Sequence, residues 1–256
     1  MPNLKLTIEY LGSAYFGWQI QPGRPTVQGE LERALSIALR EPVRTRGAAR
    51  TDAGVHALGQ VASAIVDAPA EPWRLTRSMN ALLPEDIVVR QVEIVPESFH
   101  ARHSARGRIY RYQIATGPSW SPFLRATTTW SRTPLDAAAM DAAARLLEGE
   151  HDFSSFRSSG DQSESPTKVI RSSRVGRVEG APDLLHYTVE GSSFLQHMVR
   201  AIAGTLIEVG RGRRHPDEMT RVVEARRRSA AGPTAPARGL TLVSVIYPDL
   251  ALTQTG

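Results

Sequence analysis

Cysteine is missing from all 256 residues, which excludes a disulfide scaffold, a thiolate metal site and a cysteine nucleophile. Lysine is nearly missing as well. Lys5 and Lys168 are the only two, so 29 of the 31 cations are arginines. No apolar run reaches the roughly 20 residues that a bilayer span requires. The first residues lack a basic region leading into an apolar stretch, so no signal peptide is expected. Glycine-rich phosphate cradles are absent too. What is present is a 41% hydrophobic, 22% charged composition, enough apolar material for an ordinary core and too much for a disordered chain. The expectation is a soluble, cytoplasmic globular protein of one large domain or two small ones.

Charge is unevenly spread. Residues 1–100 hold 10 cations and 11 anions, whereas residues 101–256 hold 21 and 15. The chain as a whole is +5, with a pI near 9.9. Guanidinium forks match phosphate oxygens, so an excess of arginine fits a polyanionic partner. A compositional arginine bias on a solvated surface gives the same numbers, and charge alone does not separate the two.

Periodicity organises the chain. Residues 4–10 alternate apolar and polar and read as a strand; Val27, Leu31, Ala34, Leu35 and Ala38 form the stripe of a helix capped by Thr26. Strands at 43–48 and 59–66, a helix at 73–83 and a strand at 86–95 complete a β-α-β-β-α-β order. The second half repeats it, with a strand at 107–115, a helix at 135–148, strands at 168–178 and 184–190, a helix at 194–209 and a strand at 240–247. A short extra helix is expected at 216–228. The fold class is therefore α+β: two β-α-β-β-α-β-like halves, 1–105 and 106–256, with antiparallel-rich sheets, helices on one face and an active-site cleft between the halves. Residues 11–25, 116–134 and 156–167 are long loops, of the kind that are functional or mobile.

The chemistry concentrates at Arg50-Thr51-Asp52-Ala53-Gly54-Val55-His56-Ala57, a loop between two expected strands. Arg50 and Asp52 are two residues apart and so point to one side of an extended run. Gly54 permits a positive φ or a close approach. A carboxylate on such a loop is a candidate nucleophile, base or metal ligand; an Asx-turn beside a surface ion pair uses the same residues. Arg200 lies on the apolar helix 194–209 near His197 and Gly204 and needs a partner there, for which Asp52 is a candidate. The alternative is an arginine whose stem lies on the surface and whose head reaches water. Tyr110, on the strand that opens the second half, shares a face with Tyr112 and Ile114, as a core tyrosine would.

The segment Arg50–Ala57 resembles the signature of the tRNA pseudouridine synthase A family. The resemblance runs almost end to end, through Gly17-Trp18-Gln19, Thr26-Val27-Gln28, Phe99-His100-Ala101-Arg102 and Arg108-Ile109-Tyr110-Arg111-Tyr112. It continues through His151-Asp152-Phe153, Phe194 to Arg200, and Thr234-Ala235-Pro236 leading to Gly239-Leu240. It implies the pseudouridine synthase fold and isomerisation of uridine to pseudouridine at positions 38, 39 and 40 of the tRNA anticodon stem-loop. It also implies no cofactor or metal, and a homodimer. Asp52 would be the essential carboxylate. Arg50 and Arg200 would act beside it, with Tyr110 and Leu240 against the target uracil. One departure is visible: a glycine usually precedes the Arg-Thr-Asp triplet, and Ala49 stands there. A different backbone entry to the loop is the expected consequence.

Other candidates are weaker. Arg226-Arg227-Arg228, Arg211, Arg213, Arg214 and Arg24 are expected phosphate contacts, or simply a solvated face. His100 and His103 have a ligand-like spacing without an accompanying acidic motif. The four tryptophans, at 18, 73, 120 and 130, are too scattered for a stacking platform and read as core. A non-catalytic tRNA-binding protein or RNA chaperone on the same fold is the alternative function; in it the Asp52 carboxylate is dispensable. A glycosidase would need a second cooperating carboxylate, and none is linked to Asp52.

Overall fold

A computed structural model describes residues 1–67 and 71–248. The described residues divide into two compact units, Met1–Arg106 together with 242–248, and Gly107–Thr241. The last strand thus runs mainly with the first unit.

In the first unit, β1 (Asn3–Tyr10) pairs antiparallel with β3 (His56–Ile65) on one side and β4 (Ile87–Val95) on the other. β2 (Arg46–Gly47) adds two residues to β3, and β10 (Leu240–Ile246) continues the sheet beside β3. Leu4, Leu6, Ile8 and Tyr10 fill one face of β1, because side chains two apart share a face. Helices α1 (Val27–Leu39) and α2 (Pro72–Leu82) pack against each other, and α2 lies on β4. Thr26 caps α1 as expected, its side chain accepting from the Gly29 N–H at 3.3 Å. The other face of β3 carries a second small core of Ala48, Val61, Val95, Phe99 and Ala101, closed by Val245 and Tyr247. The segment 99–102 therefore has a packing role: Phe99 meets Tyr247 at 5.1 Å, and the Asn3 side chain donates to the Phe99 carbonyl.

In the second unit, β5 (Gly107–Thr116), β9 (Ala181–Gly191), β8 (Thr167–Val178) and β7 (Gly149–Asp152) form an antiparallel series in that order. β6 (Thr129–Ser131) runs parallel to β5. Helix α3 (Ala137–Arg145), capped by Asp136, packs on β8 and on α4 (Met198–Gly210). Helix α5 (Glu218–Glu224) completes the unit. β6 and β7 were not expected. The strand expected at 43–48 shrinks to Arg46–Gly47, and α4 starts at Met198 rather than 194 because His197 takes a left-handed conformation, φ 63°. The helix expected at 216–228 stops at Glu224, and Arg226 is also left-handed, φ 49°. No described helix is long and apolar enough to cross a membrane.

Candidate active site

Asp52 sits at the tip of a loop that is held from outside by the backbone of residues 11–18. The Trp18 N–H donates to the Thr51 carbonyl at 3.0 Å, and the Gly12 N–H donates to His56 Nδ1 at 3.0 Å. Within the loop the Val55 N–H donates to the Asp52 carbonyl at 3.1 Å, with Gly54 at φ 78° to close the turn. The approach is close enough to require glycine. A Cβ on Gly12 would lie 2.0 Å from the Val55 oxygen, and one on Gly17, itself at φ 91°, would lie 2.7 Å from the Thr51 oxygen. Tyr10 and Thr51 share a 2.7 Å hydroxyl hydrogen bond in the buried interior. Gln60 holds the other strand of the loop, accepting from the Ala49 N–H and donating to its carbonyl.

The backbone of residues 11–18 is ordered by helix α1 in turn. The first N–H groups of a helix have no partner within it. Here the Val27 and Gln28 N–H groups donate to the Gly17 and Trp18 carbonyls at 3.2 and 2.9 Å. Trp18 is 2% exposed and packs against Gly47, where a Cβ would come 2.3 Å from the indole nitrogen. The Gly17-Trp18-Gln19 and Thr26-Val27-Gln28 segments are thus one support for the Asp52 loop. Asp52 itself is half-buried and Arg50 is exposed. Ala49 does not adopt a positive φ, so the missing glycine before the triplet leaves no backbone strain.

In the second unit Tyr110, on β5, is buried and meets the edge of Phe194 at 5.1 Å with an 84° interplanar angle. Phe194 presses on Gly191, where a Cβ would stand 2.9 Å from its ring. Just beyond, the Gln196 N–H donates to Asp161, whose other oxygen receives Arg157 Nε at 2.7 Å. The serine-rich loop 156–167, expected to be functional or mobile, is tied to the start of α4 through this acid. That environment holds the Asp161 carboxyl below the ordinary range: burial alone would raise it, and the Gln196 N–H, Ser163 and Arg157 together outweigh burial.

Arg200 stands on the first turns of α4, half-buried, with Nε donating to the Ala235 carbonyl at 2.9 Å while the Ala235 N–H donates to the Arg200 carbonyl at 3.0 Å. This reciprocal pair docks the connector 229–239 on the helix. Gly204 makes the approach possible: a Cβ there would lie 1.7 Å from the Pro233 oxygen. Thr205 adds an acceptor for the Gly232 N–H at 2.9 Å. The connector ends at Gly239, packed on the ring of Tyr112, whose hydroxyl donates to the Pro236 carbonyl at 2.8 Å. Leu240 follows, buried.

The structure therefore groups the sequence candidates by unit, Arg50 and Asp52 in the first and Tyr110, Arg200 and Leu240 in the second. Sequence reading missed Tyr10, Gly12, His56 and Gln60 as loop supports, and the Gly204–Pro233 contact. Two glycines inside the 11–25 loop were the available signal. Several of the arginines expected to contact phosphate also have internal partners. Arg214 pairs with Glu208 at 2.6 Å, and Arg228 donates to Gly232 and Thr234. Arg211, Arg213 and Arg227 are exposed. His100 Nδ1 accepts from the Arg102 and His103 N–H groups, which makes it the cap of a turn. Among the described residues no group of three His, Cys, Asp or Glu side chains is gathered as metal ligands would be. The reading of the tryptophans as scattered core is corrected: Trp73 is 62% exposed, and Trp120 and Trp130 stack on each other.

The chain belongs to the tRNA pseudouridine synthase family, whose sequence model matches residues 6–104 and 143–248. Asp52 and Arg50 fall in the first matched segment, and Arg200 and Leu240 in the second. Among its relatives, the tRNA pseudouridine synthase A of Ruminiclostridium cellulolyticum is 44% identical over 96% of this chain and 100% of its own length. Those of Myxococcus xanthus and Burkholderia lata are each 45% identical, over 97% and 96% of this chain and 93% and 90% of theirs.

Proposed function

We propose that this protein isomerises uridine to pseudouridine at positions 38, 39 and 40 of the tRNA anticodon stem-loop, as a cytoplasmic homodimer. The observation that carries the reading is near full-length similarity to relatives bearing one enzyme's name, with the Arg50–Ala57 loop inside the matched segment. The reaction breaks the N1–C1′ bond, turns the uracil and joins C5 to C1′. C5 gives up a proton and N1 gains one, so the change is an isomerisation with no oxidant, reductant or energy source in its balance. Asp52 supplies the essential carboxylate. Arg50 and Arg200 supply positive charge to the reacting nucleotide. Tyr110 and Leu240 meet the uracil once it has left its stack, since chemistry on a base in a helix requires extrusion.

The supporting geometry lies in how each group is held. The loop that carries Asp52 is pinned at Ala49, Thr51 and His56 and closed by the Val55 N–H on the Asp52 carbonyl, which suits a carboxylate that must meet one atom of a substrate. Arg200 has one guanidinium edge occupied by the Ala235 carbonyl, which fixes the direction of the rest. The test is to incubate unmodified tRNA with the protein and map pseudouridine by position. Product at 38, 39 or 40 is the expected result; product elsewhere, or none, contradicts the reading. Light scattering on a sizing column is expected to give twice 28.0 kDa.

A further inference from the structure

Residues 107–135 contain Arg108, Arg111, Arg125 and Arg132 and no acidic residue. Inside that stretch Trp120 and Trp130 stack with an 11° interplanar angle and 5.8 Å between centroids. Their positions are set by the backbone. β6 pairs in parallel with β5, placing Trp130 opposite Ala115. Each indole N–H has a fixed acceptor, the Gly117 carbonyl at 3.1 Å for Trp130 and the Thr128 hydroxyl at 2.9 Å for Trp120. Thr128 is buried and donates its own hydroxyl hydrogen bond to the Leu124 carbonyl at 2.7 Å. Rings so anchored lose little freedom when something binds to them.

Three exposed arginines surround the pair. The guanidiniums of Arg125 and Arg238 lie 5.8 and 5.4 Å from the Trp120 ring centre, and that of Arg132 lies 5.1 Å from Trp130. Among the described residues neither Arg125 nor Arg132 forms an ion pair with a carboxylate. Asp183 lies near Gly117, at the start of this loop. A cation–π contact does not itself use a guanidinium's N–H donors. Among the described residues Arg132 makes only such a contact. Arg125 also gives Nε and one terminal N–H to the Trp120 carbonyl, both at 3.4 Å, which fixes its head further and leaves its other donors for an anion. An ordered fork of that kind fits a phosphodiester better than a disordered surface arginine does. Phe123, 93% exposed on the same loop, adds a ring of the kind on which an unpaired base stacks.

We infer that Trp120 and Trp130, with Arg125, Arg132 and Arg238, form a phosphate clamp for the tRNA substrate, a contact separate from the extruded uridine. The inference rests on the tRNA-modifying reading given above. Its partner chemistry is the ribose-phosphate backbone, gripped irrespective of sequence.

The test measures affinity for unmodified tRNA as a function of salt, for the wild type and for an Arg125→Gln, Arg132→Gln double variant. Each lost phosphate contact lowers the slope of log affinity against log salt by about 0.7–0.9, so the double variant is expected to lose about 1.5 from the slope. Its kcat at saturating tRNA stays within about twofold of wild type while KM rises roughly tenfold. Trp120→Leu, which keeps every charge, is expected to weaken binding with the slope unchanged. Wild-type affinity and slope in the double variant would overturn the clamp. Arg132→Gln alone, with only a ring contact to lose, is read in the same way if the double variant is destabilised. Failure of the underlying reading looks different: the wild type would then form no pseudouridine, whatever the slopes.

Discussion

In the first unit the candidate carboxylate is placed through its loop: the Trp18 N–H holds the Thr51 carbonyl, the Gln60 side chain holds the Ala49 peptide groups, the Gly12 N–H holds the His56 ring, and Gly12 and Gly17 let the chains touch. In the second unit the candidate guanidinium is placed through its own side chain, by Nε on the Ala235 carbonyl, and Gly204 lets the connector reach it. Both arrangements bring two stretches of chain into contact at a glycine, loop on loop in the first unit and connector on helix in the second. They differ in what is fixed. A loop fixed by its backbone aims Asp52 from its Cα, whereas a helix arginine, long and flexible, needs a fixed head group. The difference teaches that the short side chain is positioned before the chain reaches it and the long one at its tip.

Glycine replacements break the comparison most strongly. Gly204→Ala brings a methyl group 1.7 Å from the Pro233 oxygen, and Gly12→Ala brings one 2.0 Å from the Val55 oxygen, each against backbone that has no side-chain freedom to yield. Each is expected to cost roughly 3 kcal/mol in urea unfolding. Each is also expected to cost about a hundredfold in turnover through misplacement of Arg200 or Asp52. A stable, fully active Gly204→Ala protein would show that the connector is not what places Arg200.

Tyr10→Phe tests the first unit alone. It removes the 2.7 Å bond to Thr51 and leaves a buried hydroxyl without that partner, an expected loss of about 1–2 kcal/mol. If the bond positions Asp52, kcat falls more than KM changes.

A pH effect sharpens the contrast from the other side. The described buried side-chain atoms with no hydrogen-bond partner, Arg111 Nε and His186 Nε2, both belong to the second unit. Burial, with the Arg111 charge adding to it, pushes His186 down to about 4. The unfolded chain, where histidine keeps its ordinary value near 6.5, therefore takes up a proton first as pH falls. Stability is expected to be full above about pH 7 and to decline between about 6.5 and 4. His186→Gln should flatten that decline in denaturant titrations across the range.

The smallest expected effect is at Ala49→Gly. Because Ala49 already has an ordinary φ, glycine relieves nothing and adds freedom to the unfolded chain, an expected loss of roughly 0.5–1 kcal/mol with unchanged turnover. A gain in activity would mean that the loop prefers the conformation glycine allows.

How far the sequence could be read follows from these same residues. Strands β1 and β4 and helix α1 were legible because their signals are local: alternation, a stripe, and Thr26 three residues before the N–H it caps. β6 and β7 are short and polar, Thr-Trp-Ser and Gly-Glu-His-Asp, and carry no periodicity to find. The Arg-Thr-Asp loop was recognisable as a motif, but its supports were not. Gly12 meets Val55 and Gly204 meets Pro233 across separations that no local pattern encodes. The tryptophan pair was missed for a related reason. Its parallel β5–β6 register brings Trp130 back beside residue 115, and scattered positions in sequence became one stack in space.

The central claim is that the Asp52 carboxylate, held by a backbone cradle, is the essential group for uridine isomerisation in tRNA. The most direct measurement is a single-turnover assay of Asp52→Asn on unmodified tRNA, with tRNA affinity measured in parallel. The amide keeps the shape of the side chain and removes its charge. Wild-type folding, tRNA binding within a few-fold and a rate lower by about a thousandfold or more, which is about 4 kcal/mol of barrier, are expected. Pseudouridine formed by Asp52→Asn at the wild-type rate would contradict the claim.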